Sequence, residues 1–350
     1  MRDTPDVYLV TLHVLRYFPT LTETFVHDAI VAQALAGHSV AIAAFDARES
    51  SGRPAPAVVH SQPHRWGWLR WWLPIARERV RGAAPLRVLW LAALLRRLRP
   101  TRVHVHFAGE AAEWTMQATS RVGLPFSVTV HAVDLFKPRP GTPALLRAAS
   151  EVFTISNFNR SWIAARYGVD AVVDRCLVAS ASETVRIPGQ LLFVGRNVPK
   201  KGLDALLDAV RHLPAGSFAL DVISDIPDPG IPGVTVRGLL PHAEVLARIG
   251  RASAVVLPCR RAPDGDMDGI PVVLLEALAA SVPVVTTAVS GIPEVVDDAV
   301  GWLITDDEST EFDWAAVLAQ ALAEVLGNPE EAQRRGLRGP ARLRERGFIA

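Results

Sequence analysis

Only two cysteines occur in 350 residues, Cys176 and Cys259, far apart and in no Cys-x-x-Cys or Cys/His ligand pattern. A disulfide framework and a zinc module are thereby excluded. Excess charge of one sign is also lacking: 37 Lys and Arg stand against 36 Asp and Glu, a formal net charge of +1. That balance speaks against nucleic acid as a partner. No apolar run approaches the ~20 residues that cross a bilayer, and the longest run of the basic region, Val88 to Leu95, is far shorter. No secretory apolar segment precedes the first strand pattern, so the expected compartment is the cytoplasm. A Gly-x-Gly-x-x-Gly turn after a strand, with an acid about 20 residues on, is missing too, which argues against a nicotinamide-dependent enzyme.

What is present suits a compact α/β protein. Nearly half the residues, 49%, are hydrophobic, enough for two domains with a core each. Strand and helix patterns alternate in both halves, which implies parallel sheets wrapped by helices. We expect a first Rossmann-like domain over 1–181, a linker over 182–190 with Ser182, Glu183, Thr184 and Pro188, and a second domain over 191–350.

The most informative stretch is GDMDGIPVVLLEALAASVPVVTTAVSGIPE, from Gly265 to Glu294. Ala254 to Leu257 reads as a buried strand, and Arg260 to Asp268 as a surface loop. Gly269 and Ile270 turn the chain, Pro271 suits the first turn of a helix, and Val272 to Ala280 continues as that helix. Amides freed at such a start can bind an anion. Helical side chains lean toward the N-terminus, so Glu276 can project back toward Asp268, and both carboxylates can face one ligand. Pro283 to Thr287 reads as the next strand, and Ser290 to Glu294 as a second strand-to-helix turn at the same sheet edge.

A second cluster follows the strand Leu191 to Val194. Gly195 breaks the strand, Arg196 to Lys201 form a loop, and Gly202 to Arg211 read as a helix. A guanidinium forks two phosphate oxygens and an ammonium adds a mobile point charge, so Arg196 and Lys201 suit a diphosphate. Lys200 fits a solvated loop lysine.

The first half adds a third set. Val7 to Val14 is a strand pattern, followed by RYFPTLTETF with Thr22 or Thr24 as helix cap and Glu23 between them. His104 and His106 share one face of the strand Arg102 to Phe107. For His104 a satisfied core position is the expectation. His131 stands where the strand Phe126 to Val130 ends, three residues before Asp134.

These clusters resemble, in order, the family-four retaining glycosyltransferases of the GT-B fold. The string Phe18-Pro19 to Phe25 resembles the opening of exopolysaccharide, or colanic-acid-type, members. VGRNVPKKG resembles the Gly-Arg and Lys-Lys-Gly motif, and Asp268 to Glu276 the donor motif, with Asp where the family has Glu. The resemblance implies two Rossmann-like domains facing each other across a cleft, and retaining, metal-independent transfer from a nucleoside-diphosphate sugar with no cofactor. It assigns Gly195, Arg196, Lys201, Asp268, Gly269, Ile270, Pro271, Val272 and Glu276 to the donor, with Glu276 on ribose hydroxyls and Asp268 on a sugar hydroxyl. His131 orients the reacting centre, so the catalytic set is His131, Arg196, Lys201 and Asp268. Thr22, Glu23, Thr24, His106 and Asp134 are the acceptor or cleft candidates. The acceptor is expected to be a glycan, lipid-linked glycan or small molecule.

Departures from the pattern are local. The stretch Asp221 to Asp225 replaces a Gly-x-Gly near the nucleotide base, LVASASETV replaces the usual linker motif, and the chain stops at Ala350, where a helix crossing back to the first domain is expected to be short or absent. A natural-product glycosyltransferase, a nucleotide-sugar epimerase and a non-catalytic nucleotide-sugar-binding protein are the competing readings.

One region is strongly polarised. From Arg65 to Arg99, Trp66, Trp68, Trp71, Trp72 and Trp90 are interleaved with nine arginines and a single acid, Glu78. Such a mixture suits a lipid–water interface. It suits equally an amphipathic helical pair packed on the first sheet. On the first reading the enzyme is held at the inner face of the membrane.

Overall fold

The computed structural model describes residues 10–18, 24–46, 55–63, 70–80, 84–179, 184–305 and 313–349. Thr22, Glu23, Trp66 and Trp68 lie outside these residues, and Thr24 is described by its backbone alone. Two compact units are present: Met1–Thr154 with Arg160–Asp174, and Ile155–Asn159 with Arg175–Ala350. The division thus falls at Asp174 and Arg175, ahead of the expected linker at 182–190.

The first unit is built on a parallel sheet. Its strands are β1 (Val10–Tyr17), β2 (Ser39–Asp46), β3 (Val58–Ser61), β4 (Arg102–His106), β5 (Ser127–Val130), β6 (Glu151–Thr154) and β7 (Val172–Val173), in the order β3-β2-β1-β4-β5-β6-β7. Helices α1 (Thr24–Leu35), α2 (Trp72–Val80), α3 (Leu86–Leu98), α4 (Glu110–Val122), α5 (Ala132–Phe136) and α6 (Thr142–Ala148) connect them, and α7 (Asn157–Tyr167) follows β6. β1 runs on to Tyr17, past the Val14 expected, because parallel pairing with β2 continues to Tyr17 opposite Asp46. Arg16 therefore belongs to the strand, and its guanidinium bonds Asp46 Oδ2 at 2.7 Å.

The Trp/Arg region divides between core and surface. Val88 to Leu95 of α3 are all buried, and Trp90 packs edge-on against Phe45 and Trp71. Glu78, the one acid of the region, is buried and accepts from Arg96 at 2.7 Å. Trp72 and Leu73 remain 62% and 56% exposed, and Arg70, Arg77 and Arg79 are exposed as well. Packing thus claims α3, while the outer face of α2 is aromatic and cationic. Among the described residues no helix is long and apolar enough to cross a membrane.

The second unit repeats the plan. Strands β8 (Gln190–Val194), β9 (Ala219–Ile223), β10 (Val234–Val236), β11 (Ala254–Leu257), β12 (Val284–Thr287) and β13 (Gly301–Ile304) lie parallel in the order β10-β9-β8-β11-β12-β13. Its helices are α8 (Leu203–Ala209), α9 (His242–Arg251), α10 (Val272–Ala279), α11 (Trp314–Gly327), α12 (Pro329–Leu337) and α13 (Gly339–Glu345). β11 and β12 are buried throughout, as strands covered by helices on both faces must be. The expected helix after Ser290 is only a single 3₁₀ turn, Ile292–Glu294. There the Glu294 carboxylate turns to accept from the Asn157 and Phe158 backbone amides at 3.1 and 2.7 Å.

The strand order matters for function. From β8 the chain winds outward through β9 and β10, then returns to place β11 on the other side of β8. A reversal of this kind leaves a crevice beyond the strand ends, where open α/β sheets bind ligands.

Candidate functional site

Two loops meet at that reversal. The loop after β8 ends in a 3₁₀ turn, Pro199–Lys201, and the loop after β11 runs from Pro258 to Pro271. Gly202 closes the first loop at φ 66°, and a Cβ there would lie 2.0 Å from the Pro258 carbonyl oxygen. Only glycine supplies both the left-handed turn and this close approach. The contact is reinforced by the Arg260 amide, which donates to Lys200 O at 3.0 Å, and by Arg260 Nε, which donates to Pro199 O at 2.9 Å. Arg260 also pairs with Asp204.

This docking brings Lys201 and Asp268 together. Lys201 Nζ lies 2.8 Å from Asp268 Oδ2, with 15% and 13% of the side chains exposed. Lys200 joins them, contrary to the solvated position expected: it is buried, with Nζ 3.1 Å from Asp266 Oδ1 and 3.5 Å from Asp268 Oδ1. The reason is the 3₁₀ turn, which directs both neighbouring ammonium groups toward the second loop. The Cys259 thiol donates to Asp268 Oδ2 at 3.6 Å.

The electrostatics follow from this packing. Burial opposes the charged Lys201 ammonium, but the Asp268 carboxylate and its hydrogen bond outweigh that cost and hold the lysine pKa above its ordinary value. Burial likewise opposes ionised Asp268, and Lys201 and Lys200 overcome it, keeping the acid below the usual range. Burial and then Asp268 push the Cys259 thiol up, so it stays a neutral donor. Arg196, on the same loop, is exposed and has no carboxylate partner among the described residues. Two lysines thus contact two carboxylates, and Arg196 on the same loop adds a third cation, a balance that favours an incoming anion.

Other predicted donor residues line the same edge. Gly195 follows β8, with its amide on Ile223 O at 3.1 Å. Gly269, Ile270 and Pro271 lead into α10, whose first residue is Val272 and whose start carries no side-chain cap. Its leading amides can therefore serve a ligand. Glu276 does not touch Asp268; its Oε1 lies 2.6 Å from His242 Nε2, on the first turn of α9. Asp221, near the expected base pocket, is taken by Arg237 and Arg248 at 3.0 and 2.6 Å. Asp225 Oδ1 accepts the Asn197 amide at 3.3 Å.

In the first unit, His131 caps α5 and is held by it, since its backbone amide donates to Asp134 Oδ2 at 2.9 Å. The ring sits between Phe25 and Phe107, centroids 4.9 and 4.5 Å away, and its buried Nε2 has no partner among the described residues. Burial lowers its pKa to about 4, so the imidazole is neutral. Asp134 therefore serves the backbone. His106 lies in a buried imidazole network: its Nε2 is 3.1 Å from His13 Nδ1, and His13 Nε2 is 3.1 Å from Gln33 Oε1. His104 is satisfied by Ser127 and Thr129 hydroxyls at 2.8 and 2.9 Å, as a core position should be.

Sequence reasoning missed Lys200, Asp266, Cys259 and His242. A signal existed for the first two: adjacent lysines beside acids at alternate positions, Asp266 and Asp268, offer matched counter-charges. For His242, 34 positions from Glu276, nothing local marks the contact.

The chain is similar to known proteins. Residues 22–176 match the family described as Glycosyltransferase Family 4, and residues 188–328 that described as Glycosyl transferases group 1. A putative colanic acid biosynthesis glycosyltransferase, WcaL of Salmonella typhimurium, is 32% identical over 183 residues, which cover 45% of this chain and 40% of WcaL. The amylovoran biosynthesis glycosyltransferase AmsK of Erwinia amylovora is 35% identical over 153 residues, covering 40% of this chain and 35% of AmsK. The matches therefore span two fifths or less of the length of these relatives. Among solved structures, S. aureus TarM aligns at TM-score 0.72 and 10% identity over 96% of each chain. Anabaena HepE, solved in complex with UDP-glucose, aligns at TM-score 0.71 and 15% identity over 96% of this chain and 95% of its own. At such identities the likeness is one of fold.

Proposed function

The chain belongs to the family-four glycosyltransferases, on the GT-B fold, and from that premise we propose that it moves a sugar from a nucleoside-diphosphate donor to a hydroxyl acceptor with retention. The observation that carries the reading is the Lys201–Asp268 pair at the β8/β11 reversal, flanked by Arg196 and the uncapped start of α10. When the glycosidic bond breaks, negative charge grows on the leaving diphosphate. Lys201, Arg196 and the amides of Val272 and its neighbours stabilise it there, which is where preorganised charge lowers a barrier. The protein cations meet that charge without requiring a divalent ion.

Asp268 holds Lys201 in place and has lone pairs left for a sugar hydroxyl. Glu276 accepts from the ribose. In the first unit His131 is neutral, and its buried Nε2 has no hydrogen-bond partner among the described residues. Neither carboxylate is assigned as a nucleophile. The colanic acid and amylovoran relatives favour a glycan or lipid-linked glycan as acceptor.

A thermal-shift panel of uridine, guanosine, adenosine and thymidine diphosphate sugars, followed by transfer assays with the best donor, tests the reading. Stabilisation and a product of unchanged anomeric configuration are expected. No stabilisation by any donor contradicts it. A cytoplasmic enzyme with a lipid-linked acceptor also gives the outer face of α2 a role, with Trp72 and Leu73 at the lipid interface and Arg70, Arg77 and Arg79 on anionic head groups. Pelleting with anionic vesicles at physiological salt, and its loss in Trp72→Ser, checks this; a protein that stays in the supernatant contradicts it.

A further inference from the structure

Glu276 and His242 form a short contact, with Oε1 2.6 Å from Nε2, and their side chains are only 11% and 23% exposed. At that distance the imidazole N–H donates a charge-assisted hydrogen bond to the carboxylate. His242 opens α9, which follows β10, and Glu276 lies within α10, which follows β11. Both strands run parallel, so the pair lies at the same sheet edge as Lys201 and Asp268.

A glutamate alone on a helix turns about three side-chain bonds, and fixing it on binding loses that freedom. The His242 contact removes it beforehand. It occupies one position on Oε1, and a carboxylate offers about four acceptor positions over its two oxygens. Oε2 and the rest of Oε1 are thus presented in a fixed plane.

We propose that His242 is a positioning residue, which sets the Glu276 carboxylate to accept the ribose hydroxyls of a nucleoside diphosphate and so selects ribose over deoxyribose. The inference rests on the donor-site reading above. A carboxylate fixed in this way rejects a sugar lacking the hydroxyl, because its own lone pair is then left unmatched in a partly buried place. A plain staple between α9 and α10 would instead affect stability and all ligands alike.

The test is calorimetric titration of the full chain with uridine, guanosine and adenosine diphosphates, with their 2′-deoxy and 3′-deoxy forms, and with inorganic pyrophosphate. The wild type is expected to prefer the best ribonucleotide over at least one deoxy form by about tenfold. His242→Ala should bring that ratio within about twofold of unity while leaving pyrophosphate affinity unchanged. His242→Gln, whose amide can still donate, should restore most of the preference. A wild-type ratio retained in His242→Ala overturns the proposal, as does an equal loss for ribo, deoxy and pyrophosphate ligands. A wild type that binds no nucleoside diphosphate overturns the donor-site reading, and this inference with it.

Discussion

Lys201 Nζ lies 2.8 Å from Asp268 Oδ2, and the two side chains follow adjacent parallel strands, β8 and β11, on either side of the point where the sheet order reverses. Neither residue has a sequence neighbour in common with the other. The Gly202 approach to Pro258 and the two Arg260 hydrogen bonds bring their loops together.

Lys201→Ala removes the buried ammonium that, on the proposed function, meets the diphosphate. Turnover with the best donor should fall by a barrier increase of about 2 to 4 kcal/mol, and Arg196→Ala should fall by less because Arg196 is exposed. Steady-state kcat and KM of both variants check this. Wild-type rates in both would remove the diphosphate assignment.

Asp268→Asn acts in two directions. It takes away the carboxylate that competes with phosphate for Lys201, so a nucleoside diphosphate should bind at least as tightly as to the wild type. It also breaks a mostly buried ion pair, which costs about 3 to 5 kcal/mol of stability when one partner is lost. Calorimetry and urea unfolding on the same preparation read both effects, and weaker nucleotide binding would contradict the first.

Gly202→Ala places a methyl against backbone and forces φ 66° on a residue that resists it. Because the obstacle is the Pro258 carbonyl rather than a flexible side chain, the loops must part. We expect a loss of about 2 kcal/mol or more in urea unfolding. Nucleotide affinity should fall with it, since Lys200 and Lys201 ride on the same turn.

Stability should decline as the medium is acidified. Burial lowers His13 and His131 to about 4 and His104 to about 3, and it lowers His106 as well. A folded pKa below the unfolded ~6.5 means the unfolded chain binds protons first. The contribution of each histidine is therefore complete above about pH 6.5 and is lost as pH falls from there toward the folded values. Between pH 7 and 5.5 this amounts to about 1 kcal/mol per histidine, measurable as a shift in the urea midpoint. His104→Asn, which keeps a hydrogen-bonding side chain, should flatten the slope.

Much of this was legible in the sequence. Buried strands such as Ala254–Leu257 and Leu191–Val194 announce themselves as short β-branched or aliphatic runs ended by Pro or Gly, and the helix from Val272 by its leading Pro271. Arg196, Lys201 and Asp268 were marked by their position just beyond such strands. The partners of those residues were not legible. Lys200 is indistinguishable in sequence from a solvated lysine, and its burial follows from how two distant loops dock. The strand pattern ends at Val14 because Arg16 and Tyr17 look polar, whereas pairing with β2 and the Asp46 carboxylate keep them in the sheet. Glu294 suggested another helix start, yet its carboxylate is drawn to the Asn157 and Phe158 amides.

On the proposed function, the loops after β8 and β11 hold the diphosphate of a nucleotide sugar. Titration of the wild type and Lys201→Ala with a panel of nucleoside-diphosphate sugars tests it most directly. At least one donor is expected to bind the wild type with Kd at or below about 1 mM, and Lys201→Ala to weaken it by about tenfold or more. Equal affinity in the two proteins, or no binding of any donor to the wild type, would contradict it.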